Sequence, residues 1–194
     1  VTGVRVHFQN RHLDKRPTQN LSSKNGDIEK AKAVFSRIDL SFDSQQCELV
    51  LGDITDTESI HSAMQNVQAV IHAAAVTPIA APSAQVLEQI NIVGTKNVLD
   101  AALAVNVSRF IYVSSATAVF NTNASLIDLA KPLTIPSMPY GRSKAEAENL
   151  VRDRQQQGAP ISIIYPSGVI GPQDPGFSDA FKALYHRFNH GFRL

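Results

Sequence analysis

The sequence predicts an α/β fold built on a doubly wound parallel sheet, with its N-terminal part incomplete. Three observations carry this expectation. Short apolar, β-branched runs alternate with longer amphipathic ones. The strongest runs, AVIHA (69–73), FIYVS (110–114) and ISIIY (161–165), are nearly continuous, as in strands covered on both faces. Small or polar residues follow each run, at the carboxyl strand ends where such sheets bind ligands.

Taken in order, Val4 to Gln9 and Glu48 to Leu51 read as the first strands. The polar stretch between them holds one helix, Ile28 to Arg37. Asp56 is placed to N-cap a helix with Ile60, Met64 and Val67 on one stripe. Ser83 caps a long helix carrying Val86, Leu87, Ile90, Val93, Val98 and Ala102 inward. Tyr140 to Gln157 is rich in helix formers and stops at Gly158. Strand–helix–strand repetition implies right-handed crossovers.

Composition narrows the function classes. A net charge of +1 over 194 residues argues against an electrostatically driven nucleic-acid binder. The single cysteine, Cys47, allows no internal disulfide and suits a reducing compartment. No apolar run approaches the ~20 residues that span a bilayer, and no secretory signal opens the chain. The expectation is a soluble cytoplasmic protein acting on a small molecule, without nucleic acid or membrane as partner. Six histidines show no HExxH and no metal-like spacing, so no metal site is expected. His72, inside an apolar strand, reads as a packed residue.

Chemistry concentrates in Tyr140-Gly141-Arg142-Ser143-Lys144. On a helix this spacing puts phenol and ammonium on one face, a turn apart. A nearby positive charge stabilises phenolate, so the pair predicts a phenol more acidic than usual and fit for general acid/base work. Ser114-Ser115 lies at the end of a predicted strand. Gly52-Asp53, Ala73 to Ala75 and Pro166-Ser167-Gly168 come after other strands, which brings these candidates to one edge. Asp53 also fits a simple turn cap.

The ordered set GDITD (52–56), VIHAAA (70–75), NIVGT (91–95), YVSSATAVF (112–120), YGRSK (140–144) and YPSGVIGP (165–172) resembles the extended and atypical short-chain dehydrogenase/reductases. The branch it resembles most holds 3β-hydroxysteroid dehydrogenases, dihydroflavonol-type reductases and nucleotide-sugar epimerases. The resemblance implies a Rossmann-like fold and an NAD(P)-dependent oxidoreductase acting on a carbonyl or secondary alcohol. It implies that Tyr140 exchanges the proton, that Ser115 hydrogen-bonds the reacting oxygen, and that Lys144 holds the nicotinamide ribose and acidifies Tyr140. Asp53 and Ile54 would meet the adenine, Ala73, Ala74 and Ala75 would admit the cofactor close to the backbone, and Pro166 to Val169 would flank the nicotinamide. Asn91 would stabilise a helix or relay protons. A homodimer through the two long helices, Val86 to Val105 and Tyr140 to Gln157, is implied as well.

Arg11 lies just past the first predicted strand, where dinucleotide folds place an acidic grip on the ribose of NAD. An arginine there pairs with a 2′-phosphate, which tilts the cofactor from NAD to NADP. The family's glycine-rich phosphate loop is absent from the sequence, which opens Val1-Thr2-Gly3 and runs into a strand. Residues 1–175 are expected to form a partial NAD(P)-binding domain, and residues 176–194 to begin a truncated substrate lobe. The alternatives are an epimerase or dehydratase of the same fold and a non-catalytic scaffold. Ala116-Thr117-Ala118 lacks the acidic residues a dehydratase usually carries after the serine.

Overall fold

The computed structural model describes residues 21–22, 36, 50–77, 83–120, 126–129, 132–169 and 185–186. The strand expected at Val4 to Gln9, Arg11, the helix at Ile28 to Arg37 apart from Ser36, Cys47 and the proposed boundary after residue 175 lie outside the described residues.

The described residues form two parallel sheets. Strands β1 (Leu21–Ser22) and β2 (Val50–Leu51) make a short pair, with Leu21 opposite Val50. Strands β3 (Ala69–His72), β4 (Arg109–Val113) and β5 (Ile161–Ile164) form the main sheet in that order. Val70 lies opposite Phe110, and Phe110 opposite Ile161. Parallel neighbours need a crossover between them. Helices α2 (Ala84–Leu87) and α3 (Thr95–Ala104), joined by a π-helical segment (Glu88–Gly94), carry the chain from β3 to β4. Helices α4 (Ala116–Val119) and α5 (Pro139–Gln156) carry it from β4 to β5, and α1 (Thr57–Ala63) precedes β3.

The caps sit where the sequence places them. The Asp56 side chain accepts from Glu58 N at the start of α1, and the Ser83 side chain from Val86 N at the start of α2. Gly158, past the end of α5, has φ +92°, a left-handed conformation that glycine adopts at little cost.

Two expectations are corrected. The long helix from Ser83 is not uniformly α-helical but widens over Glu88–Gly94, with Asn91 at its centre. Asn91 is fully buried and its amide is spent on Val76 and Ser143, contacts that hold the wide turn in place. Gly94, the last residue of that segment, lets Ile54 pack against the helix: a Cβ there would lie 2.5 Å from Ile54 Cδ1. Second, the main sheet is covered on one face among the described residues. Val70, His72, Phe110, Tyr112 and Ile161 are buried, whereas Ile71 and Ile164, on the alternate face, remain 50% and 47% exposed. The buried face joins Ile60, Met64, Val98, Leu99, Ala102, Ala147 and Val151 in one core. That core holds α5 against the sheet through Ala147 and Val151.

Candidate active site

Strand β4 ends at Val113, and the chain turns at once into Ser114 and Ser115. Ser115 N-caps the short helix α4, accepting from Thr117 N at 3.2 Å. Its hydroxyl also meets Thr117 Oγ1 at 2.8 Å and lies near the Tyr140 phenol, whose pKa it lowers. Thr117 therefore supports Ser115. Gly141 lets this happen: a Cβ there would lie 3.0 Å from the Thr117 carbonyl and 3.1 Å from Pro136. The first turn of α5 is thus pressed against α4, and Tyr140 is brought to Ser115.

One turn along α5, Lys144 is almost fully buried, at 2% exposure. Its Nζ donates to the Val113 carbonyl at 2.9 Å and stands 4.6 Å from the centre of the Tyr112 ring. Burial lowers its pKa to about 8, against which the Glu148 carboxylate pulls upward. Tyr140 and Lys144 stand a turn apart on α5, with Ser115 at the neighbouring strand end, and the electrostatics of Tyr140 differ from the expectation. Burial raises the Tyr140 pKa, and the Ser115 hydroxyl only partly offsets it. Lys144 does not offset that rise; one of its N–H groups is bonded to the Val113 carbonyl. The phenol is therefore a proton donor at neutral pH rather than an acidified one.

The strand-end residues line the same edge. Ala73 is exposed and Ala74 and Ala75 are half-buried, directly after β3. Their small side chains leave the backbone open to a ligand. Asn91 ties the next residue, Val76, to Ser143 on α5: Val76 N donates to Oδ1 at 2.8 Å, and Nδ2 donates to Val76 O at 3.1 Å and Ser143 Oγ at 3.0 Å. With Ser143 donating to the Tyr140 carbonyl at 2.8 Å, the alanine loop and the first turn of α5 form one rigid assembly. Asn91 is thus a positioning residue. The Pro166 carbonyl accepts from Ala116 N at 2.9 Å, which sets the segment after β5 beside α4, and Val169 is 72% exposed.

Asp53 makes the turn cap that its sequence position also allows, and Ile54 is enclosed. One Asp53 oxygen accepts from Thr55 N at 2.8 Å and Thr55 Oγ1 at 2.7 Å, the turn-cap arrangement. Ile54 is 3% exposed with its side chain against Gly94, so it presents no apolar surface to an adenine ring, and only its backbone is available.

Sequence reasoning missed a buried polar ladder below Lys144. Glu148, at 0% exposure, accepts from Ser114 Oγ, from Arg152 Nε at 2.8 Å and from Tyr165 OH at 2.6 Å. Arg152 also donates to Tyr165 OH and to the Leu129 carbonyl. The signal was present: Tyr140, Lys144, Glu148 and Arg152 recur at four-residue steps, one stripe on one helix. Among the described residues, no cluster of three His, Cys, Asp or Glu side chains is placed to hold a metal, and no helix is long and apolar enough to cross a membrane.

Known proteins share this sequence pattern and fold. The family described as 3-beta hydroxysteroid dehydrogenase/isomerase matches residues 21–194. The chain belongs to that family. A 3beta-hydroxysteroid-dehydrogenase/decarboxylase (isoform 2) of Arabidopsis thaliana is 29% identical over 141 residues, covering 71% of this chain and 25% of that protein. A decarboxylating sterol-4-alpha-carboxylate 3-dehydrogenase of Schizosaccharomyces pombe is 29% identical, over 77% of this chain and 46% of its own. Among solved structures, the Bordetella bronchiseptica enzyme WbmH in complex with NAD+ superposes with TM-score 0.62 at 25% identity, covering 80% of this chain and 51% of that one. The chain spans less than half the length of these curated family relatives. Its main sheet is the parallel α/β, Rossmann-like sheet that the sequence predicts.

Proposed function

We propose that this chain carries the catalytic part of an NAD(P)-dependent oxidoreductase that interconverts a carbonyl and a secondary alcohol on a small molecule. One observation carries the reading: α4 and the first turn of α5 bring the Tyr140 phenol near the Ser115 hydroxyl at a strand end, with the Lys144 ammonium a turn away. A substrate oxygen that enters here finds two hydroxyl donors close together. Ser115, held by Thr117, orients that oxygen, and Tyr140 delivers the proton. The raised Tyr140 pKa keeps the phenol protonated at neutral pH, which suits the reducing direction.

The residues fit a nicotinamide cofactor. Lys144 has three N–H donors, and the Val113 carbonyl takes one, so two remain for ribose hydroxyls. Ala73, Ala74 and Ala75 leave room beside them, and Pro166 and Val169 border the same end of the sheet. The cofactor, when bound, supplies or accepts the hydride. Solved neighbours support either form: WbmH is a complex with NAD+, and RMD of Pseudomonas aeruginosa, 29% identical with TM-score 0.53 over 65% of this chain and 46% of that one, is a complex with NADPH. Arg11 gives NADP the preference. A homodimer through the outer faces of α2–α3 and α5 and a cytoplasmic setting complete the proposal.

The stretch between Ser115 and Tyr140 favours an apolar substrate over a nucleotide sugar. Phe120, Leu126, Ile127, Leu129, Ile135 and Met138 are all large, apolar and exposed there, from 41% to 79%. A hydroxysteroid-like secondary alcohol suits such a surface. Tyr140→Phe tests the central assignment. Turnover should fall on the order of 10²–10⁴-fold while cofactor affinity, followed by nicotinamide fluorescence, stays within a factor of two or so. Retention of most of the rate would remove Tyr140 from the chemistry.

A further inference from the structure

Glu148 has no part in the proposed chemistry, yet it is the most completely enclosed charged side chain of the site, at 0% exposure. An isolated buried carboxylate is expensive, so its surroundings need an explanation. Three donors converge on it from three elements: Ser114 Oγ from the end of β4, Tyr165 OH from the end of β5, and Arg152 Nε from the next turn of α5. A carboxylate is an acceptor only, and three donors with no acceptor match that form. The opposite neighbour on the stripe, one turn back, is Lys144, almost as enclosed and hydrogen-bonded only to the neutral Val113 carbonyl among the described residues.

We propose that Glu148 is the counter-charge of Lys144: a positioning residue, locked by Ser114, Tyr165 and Arg152, that keeps the buried ammonium protonated and so preserves the donors offered to a cofactor ribose. The surroundings of Lys144 support this. From β3, His72 faces it but is driven neutral by burial and by Lys144 itself, with its pKa down to about 3. From β4 comes the Tyr112 phenol, whose pKa burial pushes up, so that it too carries no charge. On α5, Tyr140 stays a neutral phenol. From β5, Tyr165 is pushed up to about 12, mainly by its own burial and then by Glu148. Arg152 is cationic and lies beyond Glu148. Glu148 is thus the anion acting on Lys144, and it opposes the burial that drags the ammonium toward neutrality. Arg152 holds the direct ion pair with the carboxylate at 2.8 Å, and Glu148 acts on Lys144 through space, one turn away on the same buried stripe.

The functional meaning of this inference rests on Lys144 being the ammonium of the site, but its test needs neither cofactor nor turnover. The whole chain is labelled with ¹³C-lysine, and the Lys144 Cε signal, identified by its loss in Lys144→Arg, is titrated by NMR. In the natural chain the midpoint should lie near pH 8. In Glu148→Gln, which keeps the volume and removes the charge, it should fall by about one pH unit or more. An unchanged midpoint in a folded Glu148→Gln overturns the proposal. Should that variant not fold, Glu148→Asp retains the charge one methylene farther from its partners. A smaller drop of the same sign is expected, and a midpoint equal to the natural one again overturns the proposal. Loss of turnover in Tyr140→Phe with the Glu148→Gln shift absent would leave the enzyme reading intact and remove only Glu148's part.

Discussion

Two buried polar regions meet at the Tyr112 ring, and they answer the same problem in opposite ways. Along α5, Lys144, Glu148 and Arg152 bring charges of both signs into the interior. Behind β3 and β4, His72, Thr95 and Tyr112 form a neutral cluster. His72 Nε2 and Thr95 Oγ1 are 2.9 Å apart, and the His72 ring lies 5.9 Å from that of Tyr112. The Tyr112 hydroxyl comes near Thr95 without a hydrogen bond of good geometry. Both regions are desolvated. The first has a counter-ion within reach and remains ionised; the second has none and is held uncharged. A fold seeking stability alone has no reason for the first solution, since well-packed apolar residues serve as well or better. Charge kept in the interior at that cost marks the part of the molecule shaped for chemistry.

The largest expected effect separates the regions by truncation. Glu148→Ala strips the acceptor from Ser114, Tyr165 and Arg152 and leaves two cations without their anion. It should cost about 3–5 kcal/mol of stability in urea unfolding. Thr95→Val in the neutral cluster removes one hydrogen bond of a neutral pair and should cost only about 1 kcal/mol. Equal losses would erase the distinction.

The next effect has the opposite sign. Lys144 sits in the folded protein with a pKa of about 8, against an ordinary 10.5. Between those values the unfolded chain binds the extra proton, so stability rises with pH across that window, while below pH 8 the full cost of burying the ammonium is present. Lys144→Met removes that cost together with the Val113 hydrogen bond. It should stabilise the unliganded protein by about 2 kcal/mol at pH 7 and abolish the rise in stability between pH 8 and 10.5. A destabilised Lys144→Met would mean that the ammonium is a structural asset.

The contrast between the two regions was only half legible in the sequence. The strand runs were readable because β-branched residues cluster in them, and β3, β4 and β5 stand within a residue or so of their expected bounds. Tyr140 and Lys144 were readable from their spacing, and Ser115 from its place after a strand. Glu148 was not, because a glutamate on a polar-looking helix is usually solvated, and only the approach of Ser114 and Tyr165 from two strand ends reveals its burial. The acidity of Tyr140 was misjudged for a related reason. Spacing puts the ammonium a turn from the phenol, but it does not show the burial that raises the phenol's pKa. The π-helical turn at Glu88–Gly94 leaves no apolar signature, since it arises from tertiary contacts of Asn91 and Gly94.

The smallest effect probes the neutral region by offering its histidine a proton. His72 is buried among Phe110, Tyr112 and Thr95, and burial first, then Lys144, lowers its pKa from 6.5 to about 3. Below pH 6.5 the unfolded chain takes up a proton that the folded chain refuses, so stability falls with pH until about pH 3. By pH 5.5 the loss from this residue is about 1.4 kcal/mol, one pH unit below the unfolded value. His72→Gln keeps a polar partner for Thr95 but has nothing to titrate. Its unfolding free energy should therefore fall less steeply than that of the natural chain between about pH 6.5 and 5, whatever its value at neutral pH. Parallel curves for the two proteins would mean that His72 is protonated in the fold, and the interior would then hold charge in both regions.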